Sequence, residues 1–247
     1  MLNDADYLRF GRQILLANWG EQGQQQLADK CVAIFGLGGL GVPALVNLAG
    51  AGVGRLRLID ADTVSLSNLP RQWLYRPEQQ GMAKVQAAKD WALAHNPALQ
   101  VEAMVAMAEE SAMAALLQRV DLVLDCTDNL EARHCINRHC VALGLPLVTA
   151  AAVGWQGQLQ LVDGQGPCFA CFSPVNDQAT PRSCREAGVA GPVLTSVAGM
   201  QALIAIRRLL GLSVPGDRVQ RFDAQTLSWR SFDLERVPHC PVCGEPQ

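Results

Sequence analysis

The sequence predicts a Rossmann-like, doubly wound α/β fold whose mostly parallel sheet carries an antiparallel extension. Three observations predict it. The apolar run Cys31-Val32-Ala33-Ile34-Phe35 breaks into Gly36-Leu37-Gly38-Gly39-Leu40-Gly41 just before an apolar helix, which reads as strand, phosphate-binding turn and helix start. Strand-length and helix-length patterns then alternate up to Ala150, the rhythm of parallel strands joined by helices. From Trp155 the texture changes: Gln156, Gln158 and Gln160 alternate with Gly157, Leu159 and Leu161, the period-two pattern of an added antiparallel strand.

In chain order, residues 4–29 read as two helical pieces broken near Trp19-Gly20, with Tyr7, Phe10, Ile14 and Leu15 on one stripe and Arg12 off it. After the glycine turn, Pro43 to Gly50 continues as helix, and Arg55 to Ile59 is the next buried strand. Asp60 ends that strand about 20 residues beyond the glycines, where a ribose-binding carboxylate belongs. The polar stretch from Asp60 to Gln72, with Asp62, Ser67, Asn68 and Arg71, leaves a strand's carboxyl end, where open α/β sheets bind ligands.

A helix from about Gly81 to His95 carries Lys84 and stops at Asn96-Pro97, followed by a strand near Val101 to Val105. Ser111 to Arg119 reads as helix and Val120 to Leu124 as a buried strand that empties into Asp125-Cys126-Thr127-Asp128-Asn129. Leu130 to Leu143 is a helix stopped by Gly144, and Pro146 to Ala150 is a strand. Val189 to Ile206 is uncharged, but Pro192, its glycines, its hydroxyl residues and Gln201 make it a buried core or subunit-interface helix rather than a membrane span.

The bulk properties bound the function. A chain of 247 residues with 49% hydrophobic content supports one sizeable core and reads as a single domain with appendages. A net charge of -3 gives no general attraction to nucleic acid or anionic membrane. The acidic N-terminus lacks the features of a secretory signal, so a cytoplasmic protein is expected.

Nine cysteines without an export signal favour metal ligands and a reactive thiol over a disulfide framework. Cys168, Cys171, Cys240 and Cys243 form two CxxC pairs that can supply a tetrahedral structural Zn²⁺ site, with redox pairs or unrelated turns as the other readings. Cys184 lies in a polar loop between Arg182 and Arg185, which suits either an inert exposed thiol or an activated one. Cys31, Cys126, Cys135 and Cys140 fall in core elements and read as packing residues.

Together the glycine turn, Asp60-Ala61-Asp62-Thr63-Val64, Ser67-Asn68-Leu69-Pro70-Arg71-Gln72, Asp125-Cys126-Thr127-Asp128-Asn129 and the paired CxxC motifs resemble the ThiF/MoeB/HesA family, over nearly the whole chain. The resemblance implies an enzyme that uses ATP to adenylate the C-terminal Gly-Gly of a small ubiquitin-like sulfur-carrier protein. It implies ATP contacts from Gly36, Gly38, Gly39, Gly41, Asp60, Asp62, Ser67, Asn68, Arg71, Gln72, Lys84, Asp128 and Asn129, with Asp60 on the ribose and Asn68, Arg71 and Lys84 around the phosphates. It further implies Mg²⁺ on Asp128, and a homodimer in which Arg12 reaches the partner's site.

Residues 1–150 would then form the nucleotide-binding half and 151–247 the carrier-binding, zinc-containing half. Cys184 to Pro192 is similar to the thiamine-pathway branch, in which Cys184 would serve sulfur transfer from a cysteine desulfurase or rhodanese-type donor. The molybdopterin-synthase branch is the alternative. Pro70 departs from the family, which commonly has glutamine there; proline fixes φ and removes a donor, and so bears on how Asn68 and Arg71 are held. From the residues alone, an NAD-dependent dehydrogenase and a non-enzymatic zinc-stapled binding module stand as rivals, since a glycine turn followed by an acidic residue suits NAD as well.

Overall fold

The computed structural model describes residues 2–174 and 187–244. Eight strands form one sheet: β1 (Cys31–Phe35), β2 (Arg55–Ile59), β3 (Gln100–Met104), β4 (Leu122–Asp125), β5 (Leu147–Val153), β6 (Gln156–Val162), β7 (Arg218–Asp223) and β8 (Ser228–Asp233). Their order is β3-β2-β1-β4-β5-β6-β7-β8. The first five are parallel and the last three add on antiparallel, as the change of texture after Trp155 predicts.

Helices α1 (Asp4–Ile14), α2 (Gly20–Ala28), α3 (Gly41–Ala51), α4 (Lys84–His95), α5 (Glu110–Leu116), α6 (Leu130–Leu143), α7 (Phe169–Phe172) and α8 (Gly191–Leu209) complete the fold. The alternation within β1 sorts the core into two layers. Val32 and Ile34 face a cluster with α3, α4 and α8, whereas Cys31, Ala33 and Phe35 face one with α5, α6 and α7. Among the described residues no helix is long and apolar enough to cross a membrane, and α8 packs Val193, Leu194, Val197 and Ala198 into the first cluster.

One boundary and one side chain differ from the sequence reading for local reasons. Residues 81–83 are not helical: Gly81 sits at φ +84, its N–H donates to Val64 O, and Ala83 bridges Thr63, so α4 starts at Lys84. Gln160 is buried instead of facing solvent, because its side chain donates to Pro167 O where the chain folds back under β6. The α6 boundaries agree with expectation, with Asn129 accepting from Ala132 N at one end and Gly144 left-handed at the other.

Candidate active site

The glycine turn lies at the point where the strand order reverses. Gly36 N donates to Ile59 O at 2.8 Å and Cys126 N to Phe35 O at 2.9 Å, so the turn is framed by the carboxyl ends of β2 and β4. Ligands of open α/β sheets settle in such a crevice. Gly36 takes φ +84, where a side chain would be strained. A Cβ on Gly41 would strike the Gly36 carbonyl, and one on Gly39 would strike Leu194 of α8. Gly38 differs: among the described residues its Cβ would meet only Gln72 Nε2, at 3.6 Å. Three of the glycines therefore close the packing, and Gly38 keeps the crevice open.

Charge is concentrated beside it. Asp60 Oδ2 accepts from Leu37 N at 2.6 Å and Oδ1 from Asp62 N at 2.7 Å, and burial holds this carboxyl above its usual range despite Lys84 nearby. Lys84 is buried, with its Nζ 2.9 Å from Asp62 Oδ2. Gln72 is also buried, and its Oε1 has no partner among the described residues. An unpaired buried acceptor is costly, which makes it a ready receiver for a ligand's donor.

The intervening loop is held by its own backbone. Asn68 O accepts from both Arg71 N and Gln72 N, and Arg71 Nη1 donates to Ser67 O at 3.0 Å. Pro70 therefore costs the turn no hydrogen bond, since the two N–H groups after it take up that carbonyl. The same loop meets the start of α8, because a Cβ on Gly191 would lie 3.8 Å from Pro70 O and 3.9 Å from Arg71 Cβ.

After β4, Asp128 is exposed, whereas Asn129 spends its side-chain oxygen on capping α6. Gly36 brings this loop against the glycine turn, since its Cβ would sit 2.9 Å from Cys126 O. Arg12 is exposed on α1, whose Gln13 bonds Ala51 O and whose Arg9 bonds His95 O. These contacts set Arg12 at the far end of α3, roughly 16 Å along that helix from the glycine turn, so it does not join its own chain's crevice. Cys184 lies outside the described residues.

Some residues that shape the crevice were given no role in it from the sequence. Tyr75 is buried and donates to Leu37 O at 2.8 Å, fixing the turn from below. Asp125 is fully buried and accepts from Thr149 Oγ1 at 2.6 Å and Thr127 Oγ1 at 2.7 Å, with Arg133 Nε 3.7 Å away. Gln201 donates to Asp125 O and Val148 O. Its signal in the sequence was a lone amide in an otherwise apolar helix, a residue that needs buried partners.

The four cysteines converge. Cys168 Sγ is 3.7 Å from Cys240 Sγ, Cys171 Sγ is 3.4 Å from Cys243 Sγ, and all four lie within 4.8 Å of one another. Tetrahedral Zn–S bonds of about 2.3 Å require sulfurs about 3.8 Å apart, so the set fits zinc. Burial alone would raise Cys240, but N–H groups of Cys243 and Val242 aimed at its sulfur bring it down to about 7, favouring a thiolate. Cys31, Cys126 and Cys140 are buried packing residues, as read from the sequence.

Comparison with known proteins decides what these parts belong to. Residues 10–242 match the model of the ThiF family. The chain belongs to that family. Among ThiF-family relatives it is 46% identical, over 98% of its own length and 97% of the relative's, to the sulfur carrier protein ThiS adenylyltransferase of Escherichia coli K12. It is 41% identical to the molybdopterin-synthase adenylyltransferase of the same organism, over 99% of both chains. The fold is shared with E. coli MccB solved with ATP, at TM-score 0.82 and 24% identity over 98% of this chain and 75% of that one. A ThiF-family chain aligned end to end with adenylyltransferases leaves the dehydrogenase and the non-enzymatic module without support.

Proposed function

We propose that this ThiF-family chain is an ATP-dependent adenylyltransferase that activates the C-terminal Gly-Gly carboxylate of a small ubiquitin-like sulfur-carrier protein, in the thiamine branch. The observation that carries the reading is the crevice itself: an open glycine, a buried carboxylate, a buried lysine and an orphaned amide oxygen gathered at the switch point. That set fits a nucleotide. Asp60 accepts from the ribose hydroxyls, Gly38 lets the phosphates approach backbone N–H groups, and Gln72 Oε1 receives a donor. Lys84, Arg71 and Asn68 surround the phosphates, with Asp62 holding the Lys84 ammonium and Ser67 the Arg71 guanidinium.

The carrier's carboxylate attacks the α-phosphorus in line, its oxygen bonding as pyrophosphate leaves. No protein base is needed, because the nucleophile is already ionised. Fixed cations lower the barrier by meeting charge that spreads onto the phosphate oxygens. Asp128 would hold Mg²⁺, which neutralises phosphate charge when bound; a carboxylate is a suitable hard ligand for it. Cys168, Cys171, Cys240 and Cys243 would hold Zn²⁺ in a closed shell whose role is structural.

Since Arg12 lies away from its own crevice, it would act in a partner's, in a homodimer. Cys184 would receive sulfur from a cysteine desulfurase or rhodanese-type donor. The cytoplasm is the compartment that suits these partners.

The test is ATP–pyrophosphate exchange with thiamine-type and molybdopterin-type carriers offered separately. Exchange with the thiamine-type carrier alone supports the reading. Exchange with the molybdopterin-type carrier alone moves the chain to that branch, and exchange with neither overturns carrier adenylation for these carriers.

A further inference from the structure

Apart from the cysteine staple, the described residues hold one further cluster of metal-ligand side chains. Cys135 and His139 lie one turn apart on α6 and Glu110 opens α5; a sulfur, a ring nitrogen and a carboxylate oxygen from the three lie within 4.8 Å of one another. His139 Nδ1 is 3.0 Å from the Cys135 carbonyl, so a hydrogen carried on Nδ1 is donated there. The other nitrogen, Nε2, is 3.2 Å from Glu110 Oε2. In the neutral tautomer with its hydrogen on Nδ1, the Nε2 lone pair faces a carboxylate oxygen, and a bound cation satisfies both acceptors. Cys135 Sγ, buried and 3.9 Å from Nδ1, adds a soft donor beside the same ring. Arg138 bonds the remaining oxygen, Glu110 Oε1, and so aims the carboxylate, as partners beyond the ligands do in metal sites.

We infer that Glu110, Cys135 and His139 form a second metal site, for a borderline divalent cation of the zinc type, with His139 Nε2, Cys135 Sγ and a Glu110 oxygen as ligands. The donor set of one thiolate, one imidazole and one carboxylate is mixed, which selects zinc-like ions over magnesium or calcium. Three protein ligands leave a fourth position for water, in contrast to the closed four-cysteine shell. Binding releases the Cys135 thiol proton to solvent. Glu110 is exposed, so its side chain is free to shorten the present spacing to bonding distance. The ion would tie α5 to α6, the helix that begins immediately after Asp128 and Asn129. None of this depends on the adenylation reading.

The experiment is metal titration of the full-length reduced protein, already carrying zinc on its four cysteines, with Co²⁺ and Zn²⁺. The wild type is expected to take one further equivalent per chain, with a cobalt spectrum showing a single thiolate charge-transfer band. His139→Ala and Glu110→Gln, both at accessible positions, are expected to bind that equivalent at least tenfold more weakly while keeping the first. Cys135→Ser should lose the thiolate band; as Cys135 is buried, its folding is to be checked by circular dichroism, and the other two variants carry the test on their own. A wild type that takes no further equivalent overturns the site and leaves a proton between His139 and Glu110. A further equivalent that survives unchanged in His139→Ala also overturns it.

Discussion

The nucleotide crevice and the cysteine staple follow opposite rules. In the crevice, bonding capacity is left over: Gln72 Oε1 lacks a partner, Asp60 is held above its usual range by burial, and Gly38 faces open space. At the staple the donors are turned on one another, four sulfurs within 4.8 Å, with Cys168 and Cys240 fully enclosed. A ligand site must keep unsatisfied groups and tolerate their cost, whereas a structural site closes its shell and leaves no position for chemistry. Both sit on one sheet, and stability is expected to track the staple while activity tracks the crevice.

The largest effect should come from opening the staple. Zinc removal by chelation, or Cys171→Ser with Cys243→Ser, is expected to cost several kcal/mol and lower the melting temperature by about 10 °C, since structural zinc binding contributes directly to folding. Differential scanning calorimetry with metal analysis checks this. An unchanged melt would erase the contrast between the two regions.

Next in size, Asp128→Ala and Arg71→Ala should each lower ATP–pyrophosphate exchange about 10²- to 10³-fold with the melting temperature unmoved, because both remove stabilisation of developing phosphate charge and neither is a core residue. Activity that survives either change would take that residue out of the chemistry.

A glycine pair sharpens the comparison inside the crevice. Gly41→Ala collides with the Gly36 carbonyl and should destabilise the fold by about 1–3 kcal/mol, whereas Gly38→Ala has room and should raise the KM for ATP roughly tenfold at constant stability. Equal effects of the two substitutions would refute their division of labour.

The smallest effect is a pH dependence. A carboxyl raised in the folded state makes ionisation costly there, so the ligand-free protein regains stability from Asp60 as pH falls through its folded pKa toward the ordinary value of about 4. Above the folded pKa that stability is absent. Melting curves of wild type and Asp60→Asn between neutral pH and about 4 should converge or cross in that direction. ATP binding should weaken over the same interval, because a protonated Asp60 accepts less well from ribose.

Some elements were legible because their signals are local. α6 carries its cap at Asn129 and its stop at Gly144 in the chain itself, and the glycine turn announces a backbone conformation that needs no partner. β7 and β8 were not: Arg218-Val219-Gln220-Arg221-Phe222-Asp223 and Ser228-Trp229-Arg230-Ser231-Phe232-Asp233 mix charge and aromatics without a clean buried face, since they form the outer, largely exposed end of the sheet. Asp125 read as part of a polar motif, yet Thr149, Thr127 and Arg133 seal its carboxylate in the core.

What the sequence determined by itself is the strand and helix rhythm, the glycine turn, the acidic residue after β2 and the two CxxC pairs. These rest on periodicity and spacing within a few residues, which the chain encodes directly. Only the tertiary structure decided which polar groups are used up and which remain to bind. Lys84 found Asp62, Gln201 found Asp125 and Val148, and Gln72 Oε1 found no partner among the described residues, because a side chain's partners depend on contacts between strands and helices far apart in sequence.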